Sequence, residues 1–179
     1  MDTSAVTTPL ARIRDTYRSM DQRWRIIGTT SAAVVGTAIT GSLATDTSST
    51  WYRRLKKPAI QPPAWVFPVA WTALYVDIAT VVGRSLADLK ERGDEAEYSE
   101  LRTALAINLV LNAGWSALFF KGKTLGPATV EAAALAVSSA DLVRRSRVVN
   151  PTRGAFLLPY AAWTAFATVL TATIWYQNR

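Results

Sequence analysis

The chain contains 179 residues, half of them hydrophobic, and has a formal net charge of +7, and this length suits one domain. It contains neither cysteine nor histidine, which excludes disulfides, thiolate nucleophiles, cysteine zinc sites, Ser-His-Asp triads and histidine-ligated haem. The basic residues are spread over all the predicted connections and form no single face. We therefore expect them to contact anionic lipid head groups and not nucleic acid.

The N-terminal part predicts a polar, basic tail followed by a first membrane span. Residues 1–25 are rich in arginine, which suits either an amphipathic surface helix or a disordered tail. Residues 26–45 are uncharged, and about 20 residues cross a hydrocarbon core about 30 Å thick. Small residues recur at every fourth position of this span, a pattern that lets two membrane helices approach closely. They are Gly28, Ala32, Gly36 and Thr40.

The connection over residues 46–62, which we call the lid, combines aromatic, proline and basic residues. Its prolines fix φ and keep it from becoming one helix. Its basic side chains hold it at head-group depth; they are Arg53, Arg54, Lys56 and Lys57. Trp65, just beyond the lid, has the amphipathic ring that the interface favours. Two interpretations remain open, a rigid aromatic lid over a membrane-embedded cavity and an ordinary aromatic belt with a proline-rich turn.

The second predicted span covers residues 63–84 and begins at a proline, which suits the first turn of a helix. Asp77 lies inside it, and a carboxylate there must face the bundle interior, a polar partner or a hydrated interface. Residues 86–102 mix charges of both signs. They predict a solvated connection that extends the flanking helix ends.

The third predicted span, residues 103–120, is uncharged and contains Asn108 and Asn112 four residues apart, hence on one helix face. Two amides there act either as interhelical hydrogen-bonding groups or as ligand contacts. The fourth span, residues 127–143, has the weakest hydropathy signal. It contains a second stripe of small residues, namely Ala128, Ala132, Ala136 and Ala140.

The fifth predicted span is the uncharged segment 154–178, which Pro159 should bend. Trp163 then lies deep in the membrane and Trp175 lies about 18 Å further on, at the far interface. With five spans, 13 of the 20 Lys and Arg residues fall on the side of the N-terminus and 7 on the side of the lid. The positive-inside rule predicts a cytoplasmic N-terminus and an outward-facing lid.

Three groups of residues form motifs, the first on the lid and the second span, the second on the third span and the third on the fifth span. They are Trp51-Tyr52, Leu55, Lys57-Pro58, Pro62-Pro63, Trp71 and Leu74-Tyr75; Asn108, Asn112, Trp115-Ser116 and Phe119-Phe120; and Pro159-Tyr160, Trp163 and Phe166-Ala167. In this order and placement the sequence resembles the TspO/MBR family, the tryptophan-rich sensory proteins related to the mitochondrial translocator protein.

The resemblance implies an all-α membrane protein, a bundle of five transmembrane helices with a structured loop between helices one and two, over residues 26–179. It also implies a homodimer and a cavity under the lid that binds porphyrins, especially protoporphyrin IX, with lipids or sterols as further ligands. The matching ligand contacts are Trp51, Pro58, Trp65, Trp71, Tyr75, Asn112, Trp115, Trp163, Phe166 and Ala167. The tryptophans tied to porphyrin breakdown in the family match Trp51, Trp71 and Trp163.

The sequence also departs from the family pattern at several positions. Ile60 replaces a second aromatic residue after Lys57-Pro58, which thins the lid wall. Ala172 stands where the family has a sterol-recognition tyrosine, which weakens the expectation of sterol binding.

A planar macrocycle with carboxylate tails needs aromatic faces for stacking and cations or amides at its rim. Without histidine or cysteine, free-base porphyrin suits the site better than haem, and we expect no metal site and no required cofactor. We expect a sensor or carrier for tetrapyrroles, acting in regulation or a stress response, and not an enzyme. Two alternatives remain, a light-dependent porphyrin-degrading catalyst and a structural membrane scaffold.

Overall fold

The computed structural model describes the backbone of residues 9–179 and the side chains from Tyr17 onward except that of Ser19. Over that range the chain forms seven α-helices and a π-helical turn, without a strand. The helices are α1 (Pro9–Ala44), α2 (Thr50–Arg54), α3 (Val66–Arg92), α4 (Glu95–Ser116), α5 (Leu125–Val149), α6 (Pro151–Ala155) and α7 (Leu158–Gln177). The prediction of an all-α chain is confirmed.

Four helical segments of the described chain are long and apolar enough to cross a membrane. They are Met20–Ala44, Val66–Arg92, Glu95–Lys121 and Pro151–Gln177. The 25-residue helix α5 is not one of them, although at about 1.5 Å per residue it is about 37 Å long. Length and composition therefore confirm four of the five predicted spans.

The first helix is longer than its predicted span. Helix α1 has 36 residues and runs without a break from Pro9 through the uncharged segment. The boundary expected at residue 25 therefore falls inside a helix, and residues 9–25 take the helical one of their two predicted conformations. The first eight residues of the predicted tail lie outside the described residues.

The charged connection after the second span is almost entirely helical. Helix α3 ends at Gly93, whose φ of 79° is accessible to glycine at little cost, and whose N–H donates to the carbonyls of Leu89 and Lys90. Helix α4 begins at Glu95, and the acidic residues of its first turn interact favourably with the positive end of the helix dipole. The predicted extension of both helix ends is confirmed.

The fifth predicted span consists of two helices, α6 and α7. Asn150 caps α6 by accepting a hydrogen bond from the Arg153 N–H at 2.8 Å. Pro159 lies in the first turn of α7, where its missing N–H costs no helical hydrogen bond. The break falls at residues 156–157, just before Pro159, so the span is interrupted ahead of the proline, and a bend at Pro159 itself stays a prediction.

The long helices enclose two apolar cores. Helix α5 packs against α4 and α7, while α1 packs against α3 and α4. The larger core lies mainly between α3 and α4, with contributions from α1, α5 and α7, and includes Ile78, Val82, Leu86 and Leu101. The smaller core, which we call the lid cluster, is built on Phe119, Phe120, Ala128, Leu170 and Ile174, with Trp51, Tyr52, Leu55, Phe67, Trp115, Leu118, Leu125 and Phe166 packed against them.

Candidate functional site

Local hydrogen bonds give the lid a defined structure. The Asp46 carboxylate accepts hydrogen bonds from the Ser48 hydroxyl at 2.7 Å and the Ser48 N–H at 3.0 Å, and this bonding lowers the pKa of Asp46. Ser49 caps α2 by accepting from the Tyr52 N–H. The Pro58 carbonyl accepts from the Gln61 N–H at 3.0 Å, which closes a turn. The lid is therefore ordered by hydrogen bonds among its own residues.

The lid is tied to the end of α7 through one asparagine. The Lys56 N–H donates to Asn178 Oδ1 at 2.9 Å, and Asn178 Nδ2 donates back to the Lys56 carbonyl at 3.0 Å. The same Nδ2 also donates to the Ile174 carbonyl at 2.7 Å, which holds the amide on the helix. These contacts fix the position of Lys56, and with it the lid, relative to the end of α7.

One of the four basic lid residues is turned inward. Lys57 Nζ donates to the Tyr52 carbonyl at 2.8 Å and lies 4.4 Å from the centre of the Tyr52 ring, a cation–π contact. Burial raises the pKa of the Tyr52 hydroxyl, and a hydrogen bond from Gln61 acts in the opposite direction. Arg53, Arg54 and Lys56 are exposed at the rim of the lid.

Predicted ligand contacts from the lid and from α4 meet in the lid cluster. Trp51 lies edge-on to Phe119, with ring centroids 5.8 Å apart. Trp115 stacks on the same ring at 5.3 Å. The structure thus joins Trp51 and Trp115 through a phenylalanine that belongs to one of the recognised motifs but was not among the predicted contacts.

A second aromatic group joins α3 to α7. Trp163 contacts Phe67 edge-on at 6.0 Å and Phe166 at 5.6 Å. Trp71 lies 5.5 Å from Tyr75, measured between ring centroids. Because Phe67 and Phe166 also pack in the lid cluster, Trp163 is continuous with that cluster, whereas Trp71 and Tyr75 pack against the larger core. The aromatic region under the lid thus brings together four of the predicted contacts, namely Trp51, Trp115, Trp163 and Phe166.

Three polar atoms in or beside this aromatic region have no hydrogen-bond partner among the described residues. In the described chain five buried side-chain polar atoms lack a partner, and three of them are Trp115 Nε1, Trp163 Nε1 and Gln61 Oε1. The other two are the hydroxyls of Ser85 and Ser146. Burying such an atom unpaired costs about 1–3 kcal/mol, so two indole N–H groups are left able to donate to another molecule.

A hydrogen-bonded chain, which we call the polar network, lies among the helices of the larger core. It consists of Tyr75, Asn108, Asn112, Ser138, Ser139 and Tyr160. The Tyr75 hydroxyl donates to Asn112 Oδ1 at 2.7 Å, and Asn112 Nδ2 donates to the Tyr160 hydroxyl at 3.3 Å. The Tyr160 hydroxyl donates to Asn108 Oδ1 at 2.7 Å. The network thereby joins α3, α4 and α7.

Helix α5 completes the polar network. Asn108 Nδ2 lies 3.2 Å from the hydroxyl oxygens of both Ser138 and Ser139. Of the two interpretations of the asparagine pair, the structure therefore shows interhelical hydrogen bonding. Asn112 is buried, and its predicted ligand contact would require an exchange of these hydrogen bonds.

The sequence model of the TspO/MBR family matches residues 29–176. The chain belongs to the TspO/MBR family. It is 33% identical over 141 residues to the "Tryptophan-rich protein TspO" of Chlorobaculum tepidum, covering 77% of this chain and 86% of the relative. It is 33% identical over 129 residues to the human "Translocator protein", covering 72% and 75% of the two chains. The "Tryptophan-rich sensory protein" of Cereibacter sphaeroides is 29% identical over 151 residues, covering 84% and 90%.

Membership of the TspO/MBR family, together with the four apolar helices, makes the chain an integral, multi-pass membrane protein. The matched range contains the lid, the aromatic groups and the polar network. Asn178, which ties the lid to α7, lies just beyond that range. Sequence reasoning missed it because a polar residue at a helix end is an ordinary boundary signal, and the lid contact joins residues 122 positions apart.

Three predicted contacts of this TspO/MBR chain lie outside the aromatic groups. Trp65 is 67% exposed at the start of α3. Pro58 is half-buried in the lid turn, and Ala167 is half-buried one helical turn after Trp163. Trp175 packs beside Gly126 and is 42% exposed, as expected for a ring at the interface.

Two cavities of the TspO/MBR chain lie away from the aromatic groups. One, of about 270 Å³, opens between α1 and α3, and the other, of about 500 Å³, lies beside α5 and α6. Neither is lined by a predicted ligand contact. The aromatic rings under the lid instead pack on one another, so a bound macrocycle would have to separate them.

Proposed function

We propose that the chain is a membrane sensor or carrier that binds a tetrapyrrole, protoporphyrin IX in particular, among the aromatic rings under its lid. In this role it would take part in regulation or in a stress response. The observation that carries the proposal is the pair of buried, unpartnered indole N–H groups of Trp115 and Trp163. Both belong to one continuous group of aromatic rings beneath an ordered lid.

The chemistry of the ligand follows from these rings and the rim above them. A flat macrocycle can stack on indole faces while its polar edge accepts hydrogen bonds from the two N–H groups. The exposed cations Arg53, Arg54 and Lys56 suit the propionate tails, since guanidinium groups bind carboxylates in bidentate geometry. A lipid or sterol, the second ligand class, would use the rings but gain little from the cations.

Entry of the ligand requires the lid and its rings to move while the rest of the bundle stays in place. The lid is tied to α7 by two hydrogen bonds to Asn178 near the surface, each with a net contribution of about 0.5–1.5 kcal/mol. The polar network below it is buried and joins four helices. Lid opening is therefore the less costly motion.

The proposal includes a fifth transmembrane helix. Helix α5 packs between α4 and α7, and the Thr168 hydroxyl donates to the Ala132 carbonyl at 2.9 Å. A helix held on both sides by membrane-crossing helices is placed to cross with them. With five crossings, the distribution of Lys and Arg puts the N-terminus in the cytoplasm and the lid outside.

The proposal also includes a homodimer that packs through α1. Gly28 and Gly36 face open space, and Ala32 is exposed. In the second stripe, by contrast, Ala128 and Ala132 are buried inside the chain. Of the two candidate stripes only the one on α1 is wholly available to a partner.

The test is a titration of the detergent-solubilised chain with protoporphyrin IX, followed by tryptophan fluorescence. We expect saturable quenching that Trp175→Phe leaves unchanged and that Trp115→Phe and Trp163→Phe weaken. Equal weakening by Trp175→Phe would contradict a site under the lid, and non-saturable quenching would favour a structural scaffold.

Illumination of the same complex tests the alternative of a light-dependent catalyst. Trp51 and Trp163 lie in the aromatic region under the lid, where an excited ring could oxidise an indole, and Trp71 lies beside the tyrosines of the polar network. If the chain is a sensor or carrier, the absorbance of the bound porphyrin should be lost no faster than that of free porphyrin in detergent. Faster loss that Trp163→Phe abolishes while binding persists would favour the catalyst, because phenyl is harder to oxidise than indole.

A further inference from the structure

A cleft between α1 and α3 lies at the end of the bundle opposite the lid. Its volume is about 270 Å³, and its polar lining comes from both helices. Arg23, Trp24 and Ser31 line it from α1, and Thr80 and Arg84 line it from α3. None of these residues takes part in the aromatic groups or in the polar network.

The mouth of the cleft lies at the depth of lipid head groups. Arg84 is about 27 Å along α3 from Val66, close to the thickness of a hydrocarbon core of about 30 Å. On α1 the uncharged stretch begins immediately after residue 25, so Arg23 and Trp24 lie at the same boundary. Ser31 and Thr80 lie deeper along their helices, toward the acyl region.

Of the two arginines that line the cleft, one is paired and the other has no ion-pair partner among the described residues. Arg23 Nη1 lies 2.9 Å from Asp88 Oδ1 and 3.0 Å from Glu91 Oε1, which fixes its guanidinium group at the cleft. The other Asp88 oxygen pairs with Arg153 at 2.6 Å. Arg84 is exposed and takes part in none of the ion pairs between described residues.

We propose that this cleft binds the head group of an anionic glycerophospholipid. Guanidinium groups bind phosphate oxygens in bidentate geometry, and basic pockets between membrane helices select anionic head groups. Arg84 binds the phosphate, Arg23 stands beside it, and the hydroxyls of Ser31 and Thr80 donate to ester oxygens. Trp24, 66% exposed, lies at the depth where an indole ring packs on the glycerol region.

The acyl chains follow the seam between the same two helices. Val35 and Val76, each one turn further toward the membrane centre than Ser31 and Thr80, are 55% and 62% exposed. They offer an apolar surface that continues from the cleft. A zwitterionic head group would bring a quaternary ammonium close to Arg84, which disfavours phosphatidylcholine. This site is separate from the tetrapyrrole site and does not depend on it.

Native mass spectrometry of the full chain in detergent tests the proposal, with dioleoylphosphatidylglycerol and dioleoylphosphatidylcholine as probes. The wild-type chain should retain phosphatidylglycerol in preference to phosphatidylcholine. Arg84→Gln should weaken phosphatidylglycerol binding about fivefold, the effect of one lost cation at the membrane surface. Arg102 is the matched control, because it is exposed on α4 toward the same membrane face but does not line the cleft. Arg102→Gln should change binding by less than about twofold.

Thr80→Phe fills the cleft without changing its charge and should also reduce phosphatidylglycerol binding, with circular dichroism confirming the fold. Inorganic phosphate at millimolar concentration should not displace the lipid, because it lacks acyl chains. Equal retention of the two lipids would overturn the proposal. Equal losses of phosphatidylglycerol binding in Arg84→Gln and Arg102→Gln would also overturn it, because they would show a general attraction of anionic lipid to basic residues. Displacement of the lipid by phosphate would overturn it as well, because it would show a site for phosphate alone.

Discussion

The polar network and the aromatic rings under the lid occupy the same bundle but differ in whether their buried polar atoms have hydrogen-bond partners. In the network, Asn108 and Asn112 bond through both amide atoms to groups on neighbouring helices. Among the aromatic rings, the buried indole N–H groups of Trp115 and Trp163 have no partner in the part of the chain that the structure describes. The contrast separates a region that fixes the helices from a region that can receive a ligand.

The difference follows from the side chains that each region uses. Amides and hydroxyls can both donate and accept, so they satisfy one another over several helices. An indole offers one donor and no acceptor, so a cluster of tryptophans and phenylalanines cannot satisfy itself. The aromatic region therefore keeps two indole N–H groups that can donate hydrogen bonds to a ligand.

The largest expected effect comes from breaking the polar network with Asn108→Leu. The Tyr160 hydroxyl would lose its acceptor in a buried site, and we expect the chain to be destabilised by about 2 kcal/mol. Thermal unfolding in detergent, followed by circular dichroism, measures the change.

Trp115→Phe is the matched control, because it removes a donor that has no partner. It should alter stability by less than about 1 kcal/mol. Adding Tyr160→Phe to Asn108→Leu removes the unpaired hydroxyl but leaves Asn112 Nδ2 without its acceptor, so the double variant should recover at most part of the loss. If Trp115→Phe destabilises as much as Asn108→Leu does, the comparison between the regions is wrong.

The next largest effect concerns the ligand. Trp163→Phe keeps a flat ring but removes the N–H, so we expect the dissociation constant for protoporphyrin IX to rise about threefold to tenfold. Trp175→Phe makes the same substitution on α7 outside the aromatic region and should leave the dissociation constant unchanged. An unchanged dissociation constant in Trp163→Phe would show that its N–H does not bind the ligand.

A smaller effect is expected from releasing the lid. Asn178→Ala removes both hydrogen bonds to Lys56, so backbone amides of the lid should exchange with deuterium about fivefold faster, the lower limit for two such bonds. The exposed neighbour Gln177 provides the control, and Gln177→Ala should leave the exchange unaltered. Faster exchange in both variants would mean that fraying of α7, and not the tether, controls the lid.

The smallest effect concerns the homodimer. Gly36→Leu places a large side chain on the open stripe of α1 and should weaken cross-linked dimer formation by about twofold to threefold. Ala140→Leu, at the exposed end of the stripe on α5, is the matched control and should have no effect. Loss of the dimer only in Ala140→Leu would assign the interface to α5.

The sequence predicts the helices more completely than it predicts the contacts between their side chains. Helical periods, charge blocks and Pro159 located the helices, because these signals are local. Those signals do not separate a helical from a disordered basic tail, so they do not determine that α1 extends back to Pro9.

Contacts between distant segments were less accessible. Asn112 could equally have contacted a ligand or another helix, and only the positions of Tyr75 and Tyr160 decide between the two. The exposure of Trp65 depends on the rotation of α3 at its first turn, which a pattern of residues does not specify. The stripe of alanines on α5 has the same spacing whether it faces α7 or a second chain.

Nitrogen-15 NMR of the indole N–H groups, in the chain labelled at tryptophan, tests the central claim most directly. Each signal can be assigned by a tryptophan-to-phenylalanine substitution. On addition of protoporphyrin IX, the proton signals of Trp115 and Trp163 should move downfield as these donors gain an acceptor, while the signal of Trp175 stays in place. Movement of Trp24, Trp65 or Trp175 with Trp115 and Trp163 unchanged would contradict a tetrapyrrole site under the lid.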